Sequence, residues 1–405
     1  MFEVRTLTDD DMPALRELDE WAFGSWFPQD RFTVSARRLE RARQRGAFAG
    51  DDLVGHVAAF SHTLTVPGGL VPAAGVTWVG VSPQVRRRGV AARLLTEQLT
   101  DLAADAEPVA TLWASEAGIY GRFGYGVASR RAAVDVPRAS RLDGPDADRD
   151  AVTLGSPSEL LDGARQAYEA LRPTLPGMIT REDADWQAAV HDDERSRAEA
   201  SPLRAVVVRD TDGPAVGYAF FRTTVTWSDG HPSGTVSVRE LVGVTPAATR
   251  TLLGVLLDID LTTTVSFWNL PVDHPVFAFT QHTVGLAPRI NDQLWVRLTR
   301  LPDALHARTY SSDVDIVLDV TDSTLPSNAG RWRLAAGTDG CQVERTQAAA
   351  HVSLDVRDLA AAYLGDDGLS RAAVAGMVGE HTSGAVAALA RALRGSRAPY
   401  CAYMF

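Results

Sequence analysis

The sequence predicts a mixed α/β protein: two tandem copies of one strand-and-helix unit, followed by a smaller α+β segment. Three observations support this. Residues 76–95 run from a β-rich stretch (Val76, Trp78, Val79, Val81) through Pro83 and an arginine- and glycine-rich turn into the helix-like Ala91-Ala92-Arg93-Leu94-Leu95. Pieces of this unit recur at nearly one offset. Val54-Gly55-His56-Val57-Ala58 is echoed by Val216-Gly217-Tyr218-Ala219-Phe220, and Val79-Gly80-Val81-Ser82-Pro83 by Val242-Gly243-Val244-Thr245-Pro246. From about Leu301 the pattern changes to alternating strands and then helices.

Taken in order, Thr8-Asp9-Asp10-Asp11-Met12-Pro13 opens an amphipathic helix with Leu15, Leu18 and Trp21 on its apolar stripe. Phe48 to Phe60 reads as a hairpin around Gly50-Asp51-Asp52. The strand–turn–helix stretch follows, then a strand over Val109–Trp113 and a helix starting within Ile119–Tyr125. Ala139 to Asp150, rich in Asp, Arg, Gly and Pro, reads as a linker. Domains are therefore expected at 1–140, 151–298 and 301–405. In the last, strands are expected at Val314–Val320, Trp332–Ala336 and His351–Val356, and helices at Asp358–Leu364 and Gly384–Arg394.

A chain of 405 residues, 45% hydrophobic and 22% charged, has the size and composition of a multi-domain globular protein. Its formal net charge of −11 argues against binding duplex nucleic acid, which requires phosphate neutralisation, and favours cationic partners at encounter. Two cysteines far apart, Cys341 and Cys401, make neither a disulfide framework nor a metal cluster, so no metal is expected. The start Met1-Phe2-Glu3-Val4-Arg5 lacks the apolar core of a signal peptide, and the apolar stretch near Leu252–Leu261 is interrupted by Asp258 and Asp260. A soluble, cytoplasmic protein without a membrane span is expected.

The turn after Pro83 carries the most chemistry. A strand feeding a helix through such a turn aims backbone N–H groups and the positive helix end at one place, where a pyrophosphate is stabilised. Gly89 and Ala91 allow close approach, and Arg86, Arg87 and Arg88 add charge-assisted donors. The competing reading is a basic, solvated helix start. In the second copy Thr249, Thr251 and Leu252 stand where Arg86, Arg88 and Gly89 stand in the first. A leucine there would block phosphate, so the second copy is expected to be degenerate.

Arg-x-x-Gly-x-Ala after a Val-x-Val-x-Pro strand resembles the acetyl-CoA motif of the GNAT-type N-acetyltransferases. Together with Ser115-Glu116-Ala117-Gly118-Ile119-Tyr120-Gly121-Arg122-Phe123-Gly124-Tyr125-Gly126, it is similar to the Eis family, actinobacterial multi-acetylating N-acetyltransferases. The resemblance implies two tandem GNAT folds, a sterol-carrier-like third domain, acetyl-CoA as co-substrate, an amine acceptor and a homohexamer. It implies backbone donors at Val79, Gly80 and Val81, and a cofactor surface from Arg86 through Val90, Ala91 and Ala92, with Ser115 and Glu116 on a facing loop. Tyr120 would be the general acid; a core tyrosine is the alternative for it. The carboxylate of Phe405 would be the general base; a packed tail is the alternative there. Family members that use aminoglycosides carry acids where this chain has Ser25 and Met404, which puts a polycationic acceptor in doubt. Phe23, Trp26 and Phe27 could wall an aromatic amine pocket, or belong to the core. A lipid-carrier or acyl-CoA-sensing protein without turnover is the rival function, and the intact phosphate turn weighs against the carrier.

Overall fold

The computed structural model describes residues 2–24, 29–211, 213–280, 283–338 and 340–405. The expected hairpin forms from Arg43–Ala49 and Asp52–Val66, and the chain turns back at Gly68 into the strand Gly69–Val81. Side chains alternate across this sheet with period two, as on any pleated strand. Ala58, Phe60, Leu64 and Ala73 pack on one face with Leu15 and Leu18 of the helix Met12–Phe23. Val57, Ala59, Ala74 and Val76 pack on the other with Leu94, Leu95 and Leu99 of the helix Val90–Ala104. Trp21 leaves the expected stripe and is 67% exposed. The helix expected within Ile119–Tyr125 reduces to the single turn Ala117–Tyr120 and a 3-10 turn, stopped by Gly124 in the left-handed region.

The sequence echo is an echo of fold. The strand Ala215–Thr224 pairs antiparallel with Gly234–Gly243, and the helix Pro246–Leu257 follows, as Val90–Ala104 does in the first copy. The two sheets, however, exchange strands. The first, seven-stranded, runs Glu3–Arg5, Arg43–Ala49, Asp52–Val66, Gly69–Val81, Val109–Trp113, Leu294–Leu298, Gly126–Val127. Its sixth strand thus comes from the far end of the second unit. In return Arg130–Pro137 joins the second sheet, between Arg289–Asp292 and Thr262–Pro271. Expected boundaries drawn from sequence order assign both exchanged strands to the other unit.

The third unit is a five-stranded sheet of Gly340–Arg345, Gly330–Gly337, Val314–Thr321, Val352–Asp355 and Gly379–Glu380, backed by helices including Val356–Ala362 and Ala385–Leu393. Its apolar residues, among them Leu318, Leu359 and Leu389, are continuous with the core of the first unit. A fully buried ion pair fastens the two. Arg297, on the exchanged strand, donates to both oxygens of Asp322 at 2.8 and 2.7 Å. Asp322 also accepts from the backbone of Thr324 and Leu325 and from Asn328. Removing one partner strands the other's charge away from water, so Asp322→Ala is expected to cost about 3–5 kcal/mol. Urea unfolding measures this, and a loss under about 1 kcal/mol would show that water or Asn328 replaces the carboxylate. Among the described residues no helix is long and apolar enough to cross a membrane.

Candidate active site

The strand Gly69–Val81 builds the site by parting from its neighbour. It pairs in parallel with Val109–Trp113 only over Ala73–Gly75, leaving Val76–Val81 without a strand on that side. On its other side the register slips: His56 faces Gly80 and Ala58 faces Thr77, so Trp78 and Val79 oppose the single residue between. This β-bulge puts Trp78 at φ 53, a strained value for a non-glycine residue. The bulge is held by His56, whose Nδ1–H donates to the Trp78 carbonyl at 3.1 Å. Burial pushes the His56 pKa down to about 4, which keeps that imidazole neutral.

The gap opens into a cavity of about 980 Å³. Val79, Gly80, Val81, Arg86, Arg87, Gly89, Val90, Ala91 and Ala92 line one end, with Ser115, Glu116 and Tyr120 facing them. Gly89 caps the helix Val90–Ala104 at φ 83, and a Cβ there would meet no atom within 4 Å. The helix N-terminus is therefore open towards a ligand on the Gly89 side. Arg86 also donates to the carbonyl of Ala22 at 3.2 Å. Arg88 does not join the cavity lining; its guanidinium lies 5.4 Å from the ring of Phe2.

Tyr120 is 6% exposed, and its ring meets Tyr125 edge-on at 6.0 Å. Burial, with a smaller contribution from Glu116, raises its pKa to about 12, so the hydroxyl keeps its proton at neutral pH. Tyr125 is fully buried in the core.

At the other end the last residues thread between the first two units. Tyr400 N donates to the Pro176 carbonyl at 2.8 Å, and Cys401 exchanges hydrogen bonds with the Gln293 side chain at 2.9 and 3.0 Å. The Tyr403 hydroxyl donates to Asp185 at 2.9 Å, and the Thr77 hydroxyl to the main-chain oxygen of Phe405 at 3.2 Å. The Phe405 ring rests 5.1 Å from that of His62, above Gly75. A Cβ on Gly75 would come within 2.6 Å of the imidazole, so only glycine admits both rings. Phe405 is buried, whereas Met404, on the cavity wall, is 56% exposed, so the apolar end is buried only in part. Phe23 also lines the cavity, half-exposed; Ser25, Trp26 and Phe27 lie outside the described residues.

Several lining residues went unseen in the sequence: Asp19, Arg38, Thr77, Trp78 and Trp113, and, from the second unit, His191, Arg239, Glu240 and Trp268. Asp19 alone left a signal, as an acid on the stripe of Leu15, Leu18 and Ala22. It is 5% exposed, and burial, then Glu20, raises its pKa to about 7.

The second copy shows how such a site is lost. Its helix starts directly after the cap Thr245, whose side chain accepts from Ala248 N at 3.1 Å, with no intervening glycine turn. Leu252 is fully buried, and Thr249 packs against Gly243.

The acetyltransferase (GNAT) domain family matches residues 3–128, a second acetyltransferase (GNAT) domain family matches 177–298, and the sterol carrier protein domain family matches 301–402. An uncharacterised N-acetyltransferase of Streptomyces avermitilis is 40% identical over 366 residues, covering 90% of this chain and 89% of the relative. The N-acetyltransferase Eis of Mycobacterium tuberculosis is 32% identical over 329 residues, covering 79% and 78%. The crystal structure of Eis1 from Mycobacterium abscessus superposes with a TM-score of 0.84 at 31% identity over 100% of both chains.

Proposed function

This chain belongs to the Eis family of GNAT-type N-acetyltransferases, and from that premise we propose that it transfers acetyl directly from acetyl-CoA to a primary amine held in the cavity. The observation that carries this reading is one cavity joining the open Gly89 turn, Tyr120 and Phe405. The residues present fit acetyl-CoA: a left-handed glycine with free space at its Cβ, two arginines beside it, and an unpaired strand edge. When bound, acetyl-CoA supplies the acetyl thioester.

Arg86 and Arg87 hold the pyrophosphate with the N-terminus of Val90–Ala104, and backbone groups of Val79, Gly80 and Val81 hold the pantetheine arm and polarise the carbonyl. Ser115 and Glu116 border the same groove. The carboxylate of Phe405, steadied by Thr77, takes a proton from the acceptor's ammonium group and passes it to solvent. The freed nitrogen lone pair bonds to the acetyl carbon as the carbon–sulfur bond breaks. Tyr120 gives its proton to the departing sulfur and regains one, through solvent, from the acylated nitrogen. The cavity walls position the two reactants, which lowers the entropic part of the barrier.

The test is thiol release from acetyl-CoA with a panel of aryl amines, polyamines, aminoglycosides and lysine peptides; no release with any of them favours a sensor or carrier without turnover. Calorimetry is expected to find one acetyl-CoA per chain. In Gly89→Val binding is lost, because a branched side chain fills the pyrophosphate space; in Leu252→Val it is kept. Two acetyl-CoA per chain would contradict a degenerate second copy.

A further inference from the structure

We propose that Asp19 is the docking group for the acceptor's ammonium, and that the acceptor carries a single such charge on an aromatic or similarly apolar body. The inference rests on the transfer reading above and adds the chemical class of its acceptor. Asp19 sits on the buried stripe of the helix Met12–Phe23, lines the cavity, and is more than nine-tenths buried. Its carboxyl makes no hydrogen bond or ion pair among the described residues. A buried carboxylate without a partner is costly, and a ligand that supplies a cation recovers that cost on binding.

The surrounding charges decide how many cations the wall can hold. Arg38 is paired with Asp185 at 3.0 Å, Arg222 with Asp192 at 2.5 Å, and Glu240 with Arg181 at 2.9 Å. Asp193 accepts from Arg195 N at 3.0 Å, and the Arg239 guanidinium donates to the His191 and Ala188 carbonyls. These groups are already satisfied, so none of them offers a free carboxylate to an additional cation. Two further anions remain on the lining: Glu116, which borders the cofactor turn, and the Phe405 carboxylate, which in the transfer reading receives the proton of the same nitrogen.

Away from the cofactor turn, and apart from Ser35, Thr77 and Arg122, what remains of the wall is largely apolar. Trp113 and Trp268 stand with ring centroids 6.0 Å apart across the join between units, and Trp78, Met404 and the Phe405 ring complete the surface. Aromatic faces accept both an apolar body and the edge of its cation. Burial lifts the Asp19 pKa to about 7, so an arriving ammonium finds a carboxyl that is readily ionised and poorly solvated.

The test is equilibrium binding of phenethylamine, phenethyl alcohol and spermine to the full-length chain saturated with CoA, repeated with Asp19→Asn. The unaltered protein is expected to prefer phenethylamine over the alcohol by about 30-fold, the range of a charged hydrogen bond lost in a buried site. It should bind spermine no more tightly than phenethylamine. In Asp19→Asn the preference for the amine should fall about tenfold or more, the Phe405 carboxylate keeping the remainder, with CoA affinity unchanged. An amine preference that survives undiminished in Asp19→Asn overturns the proposal, as does spermine binding tenfold tighter than phenethylamine. The amine–alcohol comparison on the unaltered protein decides even where the variant fails to fold: equal affinities there also overturn it. Binding that follows this pattern while no amine releases thiol would sink the transfer reading and leave Asp19 as a docking group.

Discussion

Tyr120→Phe is expected to lower turnover by about a hundredfold or more while leaving acetyl-CoA affinity within about twofold. The substitution deletes one oxygen. The ring stays in its edge contact with Tyr125, and no protein hydrogen bond among the described residues is lost with the hydroxyl. What disappears is a hydroxyl that burial keeps protonated, at a pKa of about 12, facing the same cavity as the open Gly89 turn. A thiolate that departs without a proton is a poor leaving group, so the loss falls on kcat. Steady-state kinetics with calorimetry separates the two effects. Turnover near that of the unaltered protein would mean that Tyr120 is a packing residue and that water protonates the sulfur.

Two glycines appended after Phe405 are expected to remove most turnover, by about a hundredfold, with folding and acetyl-CoA binding kept. The α-carboxylate normally titrates near 3.5, a poor match for an ammonium near 10, so its usefulness as a base depends on position. Position here is specific: the terminal main-chain oxygen is tied to Thr77, its ring lies against His62, and Tyr403 is tied to Asp185. Extra residues move the charge by several ångströms and leave an uncharged peptide oxygen at Thr77. No side-chain substitution produces that loss, and a tag of the same size at the other terminus serves as the control. Full activity after extension would place the base elsewhere, with Asp19 the first candidate.

The parts of this site legible in the sequence were those encoded locally. A glycine that must adopt a positive φ, small residues after it and arginines before it all lie within one turn, so Gly89 and its neighbours could be read directly. The echo between Gly55 and Gly217 survived because each lets a helix approach its strand: a Cβ at Gly55 would strike Val90, and one at Gly217 would meet Leu252. Residues brought in from a distance left no such trace. Glu240, Trp268 and His191 reach the cavity because a whole unit packs across it, and no spacing encodes that. Arg88 looked equivalent to Arg86 and Arg87 in sequence, but adjacent residues in a turn point in different directions. Asp19 is the one distant residue with a readable sign, a charge on an otherwise apolar helix stripe.

The strand exchange also sets an order of assembly. While the chain is being synthesised, residues 1–128 emerge with an incomplete sheet, because Leu294–Leu298 must still be inserted between Val109–Trp113 and Gly126–Val127. The second sheet, in turn, has to wait with Arg130–Pro137 until its partners Thr262–Pro271 and Arg289–Asp292 have left the ribosome. Contacts of such long sequence separation form slowly, and strands with open edges are prone to pair wrongly in the interval. Fragments cut at the sequence boundary are therefore expected to aggregate rather than fold. Phe405, tied to Thr77, supplies part of the cavity wall from the far end of the sequence, so chains truncated before it are expected to lack that part of the wall.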